Sequence, residues 1–115
     1  MKKVALFAFN GDPMCFIHVL LNSIEMREKG FNVALVIEGS ATGLIKEMNT
    51  EGHRLHSLYQ RVKESGIIDC VCRACAHQTG ALEAAEQQEL PLCTEMHGHP
   101  SMASYLSEGY EIISF

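Results

Sequence analysis

The chain has 115 residues, of which 47% are hydrophobic and 20% charged, and its formal net charge is −5. This length supports a single domain, residues 1–115, whose hydrophobic core is large enough to be stable without disulfides or bound metal. The composition excludes disordered and collagen-like chains. No apolar run approaches the roughly 20 residues of a membrane-spanning helix, and the scattered basic residues form no stripe that would bind phosphates. We therefore expect a cytoplasmic protein that binds neither membrane nor nucleic acid.

Apolar runs and helical patterns alternate along the first part of the chain. Residues 4–9 form a continuous apolar run, which is typical of a strand buried on both faces of a parallel sheet. Asp12 and Pro13 then predict a helix start, as the N-cap and the first helical residue. Residues 31–37 and 67–72 repeat the apolar pattern, and an amphipathic stretch that ends at a glycine precedes each of them.

The second part of the chain continues the alternation with shorter segments. Residues 74–85 favour a helix that Gly80 interrupts, and residues 90–96 predict a short fourth strand at best. Pro100 predicts the start of a last helix, and residues 110–115 predict a final strand. The repeated strand–helix order predicts an α/β protein: a three-layer α/β/α sandwich with a mainly parallel sheet of about five strands and right-handed crossovers.

Polar residues follow the predicted strands at their carboxyl ends, where open parallel sheets bind ligands. Asn10, Gly11 and Asp12 follow the first strand, and Glu38 follows the second. We predict that these four residues bind the substrate, although Asp12 is also explained as a helix N-cap. Cysteines and histidines follow the third and fourth strands, so the unusual side chains are expected at one edge of the sheet.

The five cysteines are an odd number, which argues against a disulfide framework in a reducing compartment. Cys72 is expected where the third strand gives way to a helix, and unpaired N–H groups at a helix start favour the thiolate. Cys72 and Cys75 also have the C-x-x-C spacing of a dithiol couple. We therefore predict that Cys72 is an accessible nucleophile and that Cys75 resolves its product, whereas Cys15 and Cys70 are simply packed.

The same region permits a metal site, because cysteine and histidine are the preferred ligands of zinc. The candidate ligands are Cys72, Cys75, His77, Cys93, His97 and His99. Their spacing matches no zinc finger or zinc ribbon, so the ligands would have to come from two strand ends. A zinc-binding or small-ligand-binding module without turnover is therefore the alternative to a nucleophile, and a subunit with inert cysteines that mediates assembly is a third.

Taken together, these features resemble the DsrE/DsrF-like family, also called the YchN-like fold. The resemblance rests on the opening strand 3–9, on residues 31–39, on Val71 and Cys72 before a helix that leads to Gly80, and on the ending 108–115. It implies a small cytoplasmic α/β protein that assembles into trimers or hexamers. It also implies that the cysteine after the third strand, here Cys72, carries sulfur as a persulfide in exchange with a sulfur donor or acceptor protein.

The chain departs from the sulfur-relay members of that family at Cys70, at Cys75 and in the loop from His97 to His99. Our first prediction from the sequence is sulfur handling, in which Cys72 takes a sulfane sulfur and Cys75 releases it by forming a disulfide. No resident cofactor is expected for that function, whereas the metal-binding form of the alternative would take zinc.

Overall fold

A computed structural model describes all 115 residues. The five strands are β1 (Lys3–Ala8), β2 (Asn32–Ile37), β3 (Ile68–Cys72), β4 (Leu92–Cys93) and β5 (Glu111–Ser114). The six α-helices are α1 (Pro13–Glu28), α2 (Leu44–Met48), α3 (His56–Glu64), α4 (Arg73–Thr79), α5 (Leu82–Gln87) and α6 (Met102–Ser107). A short 3₁₀ helix, Gly39–Gly43, precedes α2. None of these helices combines the length and apolar character that crossing a membrane requires.

All five strands run parallel in one sheet, in the order β4-β3-β2-β1-β5. β1 and β2 pair without irregularity, from Lys3 opposite Asn32 to Ala8 opposite Ile37. Apart from their first residues both strands are buried, because they carry apolar side chains on both faces. The predicted α/β architecture is confirmed, and the sheet is parallel throughout.

Helices cover both faces of the sheet, but unequally. The connections from β1 through β4 all step in one direction, and α1 to α5 each contribute buried residues to a cluster of 23 on one face. The connection from β4 to β5 runs back across the sheet, so crossovers of one hand place α6 on the opposite face. There Tyr105 of α6 packs against a second cluster of five buried residues, which includes Phe7 and Val36.

The helix ends follow from local capping. The carboxylate of Asp12 accepts an N–H of the first turn of α1 at 2.9 Å, as predicted. The helical stretch predicted over 74–85 is divided into α4 and α5, because Gly80 takes a left-handed φ of 77° and ends α4. The last helix begins at Met102 rather than at Pro100, because the side chain of Ser101 is its N-cap.

Candidate functional site

The carboxyl ends of β3 and β4 form the topological switch point of the sheet. The connection that leaves β3 runs to the face with five helices, whereas the one that leaves its neighbour β4 runs to the face with α6. A crevice opens where two neighbouring connections diverge in this way, and open parallel sheets bind their ligands in such crevices.

Four side chains converge in this crevice. Cys72 is the last residue of β3, Cys75 lies in the first turn of α4, Glu38 follows β2, and His99 belongs to the loop after β4. Their sulfur, nitrogen and oxygen ligand atoms all lie within 4.8 Å of one another. We call these four residues the cysteine–histidine cluster.

His99 makes the shortest polar contact within the cluster. Its Nδ1 lies 3.1 Å from the sulfur of Cys72 and 3.8 Å from the sulfur of Cys75. The backbone N–H of Cys75 donates to the Cys72 sulfur at 3.4 Å, and the Cys72 thiol donates to the carbonyl oxygen of Gly98 at 3.6 Å. The Cys72 sulfur therefore both accepts and donates, as a protonated thiol does.

A tight turn after β4 carries His99 to the cluster. Met96 and His99 exchange backbone hydrogen bonds of 2.8 and 3.0 Å, and His97 and Gly98 between them take positive φ angles of 53° and 90°. The carbonyl oxygen of Gly98 accepts the N–H of Ala74 at 3.0 Å, which ties the turn to the start of α4. A Cβ at position 98 would lie 3.1 Å from the Cβ of Ala74, so the turn requires glycine there for both conformation and space.

Burial controls the protonation of the cluster. Cys72 is fully buried, and this burial raises the pKa of its thiol to about 12, with the neighbouring Cys75 and Glu38 adding to the rise. Burial also raises the pKa of Glu38, although His99 beside it has the opposite effect. The expectation that Cys72 is an accessible thiolate is therefore wrong, because loss of water outweighs the N–H group that Cys75 directs at the sulfur.

Cys70 is not a simply packed free cysteine, because it forms a disulfide with Cys93. The two residues lie on neighbouring strands with their Cα atoms 5.5 Å apart. The expectation that Cys70 is simply packed is therefore wrong, since the count of cysteines carries no information about the pairing of β3 and β4. Cys15 is a free, half-buried cysteine on α1.

Three of the predicted metal ligands lie outside the cluster, and one of them, Cys93, is bonded to Cys70. His77 is exposed on α4, two residues beyond Cys75, and residues with that spacing do not share a helix face. His97 is exposed on the turn that carries His99 inward. Conversely, Glu38 was predicted only as a substrate-binding residue, yet the structure places it beside both sulfurs. Its position directly after a buried strand was the one signal in the sequence.

The loop after β1 packs against the residues that line the crevice and supplies no donor atom to the cluster. The side chain of Asn10 accepts the N–H of Asp12 at 2.9 Å, and Asp12 caps α1, so both polar groups are engaged locally. Gly11 packs against Ser40, where a Cβ would lie 2.6 Å from the backbone oxygen. The N–H of Gly11 donates to the Ser40 hydroxyl, which donates in turn to the carbonyl oxygen of Phe9, both at 3.1 Å.

An open cavity of about 340 Å³ borders the cluster. Its lining residues are Gly39, Ser40, Ala74, Cys75, Gln78, Thr79 and His99. Because Cys75 and His99 belong to both cavity and cluster, a small molecule in the cavity reaches two of the donor side chains. Two larger cavities, of about 430 and 390 Å³, lie between α1 and α3 beside Glu28 and Arg61 and contain none of these residues.

The fold and the cluster define a small parallel α/β protein with a cysteine–histidine site at its switch point. No family model matches the chain. It is similar to the uncharacterized protein MJ0733 of Methanocaldococcus jannaschii, with 36% identity over 97 residues that cover 84% of this chain and 77% of that protein. The chain therefore belongs to the family of that archaeal protein. An uncharacterized protein of Archaeoglobus fulgidus is 49% identical over 41 residues, which cover 36% of this chain and 67% of that protein.

The fold is also found in BT1422 from Bacteroides thetaiotaomicron, a conserved protein of unknown function. The two structures superpose with a TM-score of 0.73 over 99% of this chain and 95% of that one. Their sequences are 13% identical, so the similarity shows the fold alone.

Proposed function

We propose that this protein binds a divalent transition-metal ion, for which Zn²⁺ is the best fit, through Cys72, Cys75, His99 and Glu38. The observation that carries the proposal is the convergence of four ligand atoms, from residues that follow or end three different strands, within 4.8 Å of one another. Thiolate sulfur, imidazole nitrogen and carboxylate oxygen are the three ligand types that protein zinc sites use.

The spacing of the donor atoms supports tetrahedral coordination. An ion with Zn–S bonds of about 2.3 Å and Zn–N bonds of about 2.0 Å separates its ligand atoms by roughly 3.3–3.8 Å. The Nδ1 atom of His99 lies 3.1 Å from the Cys72 sulfur and 3.8 Å from the Cys75 sulfur, close to those separations. Small adjustments of side chains would therefore suffice to enclose an ion.

The electrostatics of the cluster couple cation binding to the release of protons. Burial raises the pKa of both Cys72 and Glu38, so each keeps its proton more firmly than it would in water. A divalent ion reverses this preference, because it compensates the charge of the thiolates and releases the thiol protons. Three anionic ligands and a neutral imidazole would leave one net negative charge around the ion.

Metal analysis of purified protein, equilibrated with a small excess of Zn²⁺ and then freed of unbound ion, tests the proposal. We expect one Zn²⁺ per chain, and we expect Co²⁺ in its place to show the visible absorption of a tetrahedral site with cysteine ligands. Cys75→Ser and His99→Ala should lose the bound ion. Cys15→Ser and His97→Ala are the matched controls, because each removes the same type of side chain outside the cluster. Equal binding by all four variants would contradict the proposal.

A second candidate function is sulfur handling, as the resemblance to the DsrE/DsrF-like family implies. The position of Cys75 supports this function, because its half-buried thiol lines the 340 Å³ cavity, where a sulfur donor can reach it. The buried Cys72 cannot meet a donor first, so the order expected from the sequence is reversed: Cys75 accepts the sulfane sulfur. Cys72 then attacks the Cys75 sulfur, which forms a disulfide and expels sulfide.

Mass spectrometry of metal-free protein treated with a persulfide donor tests this second candidate. Cys72→Ser should hold the added sulfur, because it lacks the resolving thiol, and Cys75→Ser should gain none. Cys15→Ser is the control. If Cys75→Ser still gains one sulfur, Cys75 is not the residue that accepts it.

A further inference from the structure

We infer that four cysteines at the β3–β4 edge form an internal disulfide relay, in which the buried Cys70–Cys93 disulfide exchanges with the thiols of Cys72 and Cys75. The exchange itself rests on the disulfide, on the register that pairs Cys93 with Cys72, and on the proximity of the Cys72 and Cys75 sulfurs. Its consequence, control of metal binding by the redox state, rests on the proposed metal site.

Cys93 lies within bonding reach of two cysteines of β3. It forms the disulfide with Cys70, at a Cα–Cα separation of 5.5 Å, and it is the residue paired with Cys72 in the parallel register. Paired residues on neighbouring strands lie about 4.8 Å apart, and disulfides span Cα separations of about 4.4–6.8 Å. Because side chains alternate along a strand, Cys70 and Cys72 face the same side of the sheet, so Cys93 has two neighbouring partners.

The series of sulfurs continues from Cys72 to Cys75. Their sulfur atoms lie within the 4.8 Å that encloses the cluster, and the N–H of Cys75 donates to the Cys72 sulfur. Two cysteines with C-x-x-C spacing form a disulfide without a change of fold. The order Cys70, Cys93, Cys72, Cys75 therefore joins a disulfide, two residues in register on neighbouring strands, and two sulfurs of the cluster.

Exposure increases only at the outer end of this series. Cys70, Cys93 and Cys72 are 7%, 4% and 0% exposed, whereas Cys75 is half-buried on the wall of the cavity. An external thiol therefore meets Cys75 and is kept away from the inner disulfide. Through the relay, a reductant in the cavity reduces the inner disulfide without contacting it.

The exchange is balanced without an external oxidant. The Cys72 sulfur attacks the Cys93 sulfur, which forms the Cys72–Cys93 bond and breaks the Cys70–Cys93 bond; the proton of Cys72 ends on Cys70. The Cys75 sulfur then attacks the Cys72 sulfur, which forms the outer disulfide and frees Cys93 to take the second proton. One disulfide and two thiols are present before and after. A small dithiol in the cavity then reduces the outer disulfide and is itself oxidised.

The location of the disulfide determines whether the cluster binds metal. While the disulfide joins Cys70 and Cys93, the thiols of Cys72 and Cys75 are available as ligands. When it joins Cys72 and Cys75, the cluster loses both of its sulfur donors. Bound Zn²⁺ in turn holds both thiolates and stops the exchange.

The rate at which the inner disulfide of the folded, metal-free protein is reduced tests the relay. Dithiothreitol is the reductant, and alkylation followed by peptide mapping reports the Cys70–Cys93 bond. We expect reduction to slow roughly tenfold or more in Cys75→Ser and in Cys72→Ala, because each breaks the route to the cavity. Cys15→Ser is the control and should be reduced at the wild-type rate.

Equal rates in wild type and in the two relay variants would overturn the relay, because the reductant would then reach the inner disulfide directly. Circular dichroism of each variant shows whether the fold is retained, and Cys75→Ser, with its half-buried position, keeps the test valid if Cys72→Ala unfolds.

A parallel series uses glutathione as reductant with one equivalent of Zn²⁺. If Zn²⁺ binds and does not slow reduction of the wild type, the proposed control by metal is wrong, and the metal-free rates of the two relay variants decide the relay. If the chain binds no Zn²⁺, the metal proposal fails and the metal-free rates still decide the relay.

Discussion

Replacing Gly11 with alanine should push apart two loops that support the crevice. An ideal Cβ at this position lies 2.6 Å from the backbone oxygen of Ser40 and 3.0 Å from its carbonyl carbon. Both are backbone atoms, so no side-chain rotation relieves the contact and the loops must separate. Forcing a methyl group into a tight contact costs roughly 1–3 kcal/mol. At about 4 °C per kcal/mol for a chain of this size, the Tm should fall by roughly 4–12 °C.

Thermal unfolding of the metal-free protein, followed by circular dichroism, measures this loss. Gly43→Ala is the matched control, because its Cβ would meet the Cβ of Thr79 at 3.7 Å, an ordinary van der Waals contact. Its Tm should stay within about 2 °C of the wild type. Zn²⁺ affinity should also fall in Gly11→Ala, because Glu38 lies two residues before Ser40. A Gly11→Ala chain that unfolds at or above the wild-type temperature would refute the reasoning.

Three further changes test the cap of α6, the core and the protonation of the cluster. Ser101→Ala removes the N-cap of α6 and should cost about 1 kcal/mol in urea unfolding; an unchanged midpoint would mean that the cap contributes nothing. Leu35→Ala empties a fully buried position in β2 and should cost about 2–5 kcal/mol, and a smaller loss would show that the surrounding core collapses into the space. The folded pKa of Cys72, about 12, lies above the ordinary value of 9.0, so the folded metal-free chain holds this proton more tightly than the unfolded chain. Its stabilising effect is therefore complete below pH 9 and disappears as the pH rises toward 12. The urea midpoint should decline over that range more steeply in wild type than in Cys72→Ala, and parallel declines would contradict the burial of the thiol.

The strands and most helix ends could be predicted from the sequence, because they depend on local features. Continuous apolar runs over 4–9 and 31–37 identify β1 and β2 to within one residue at each end. The position of Cys72 at a strand end before a helix is likewise local. β4 is harder to recognise, since a strand of two residues leaves almost no periodic pattern.

The composition of the site could not be predicted, because it depends on which strands are neighbours. Cys70 bonds to Cys93, and Cys72 meets His99, only because β4 lies beside β3 and its following turn folds back over the strand ends. The same turn reverses the expected protonation of Cys72, because it excludes water from the sulfur. The trimeric or hexameric assembly, the cytoplasmic location and a sulfur donor or acceptor protein stay predictions.

X-ray absorption at the zinc edge of the metal-loaded protein is the most direct test of the proposed site. We predict an inner shell of two sulfur atoms at about 2.3 Å and two nitrogen or oxygen atoms at about 2.0–2.2 Å. Cys75→Ser, if it retains any ion, should show one sulfur fewer. An inner shell of nitrogen and oxygen atoms alone would contradict the assignment of Cys72 and Cys75 as ligands.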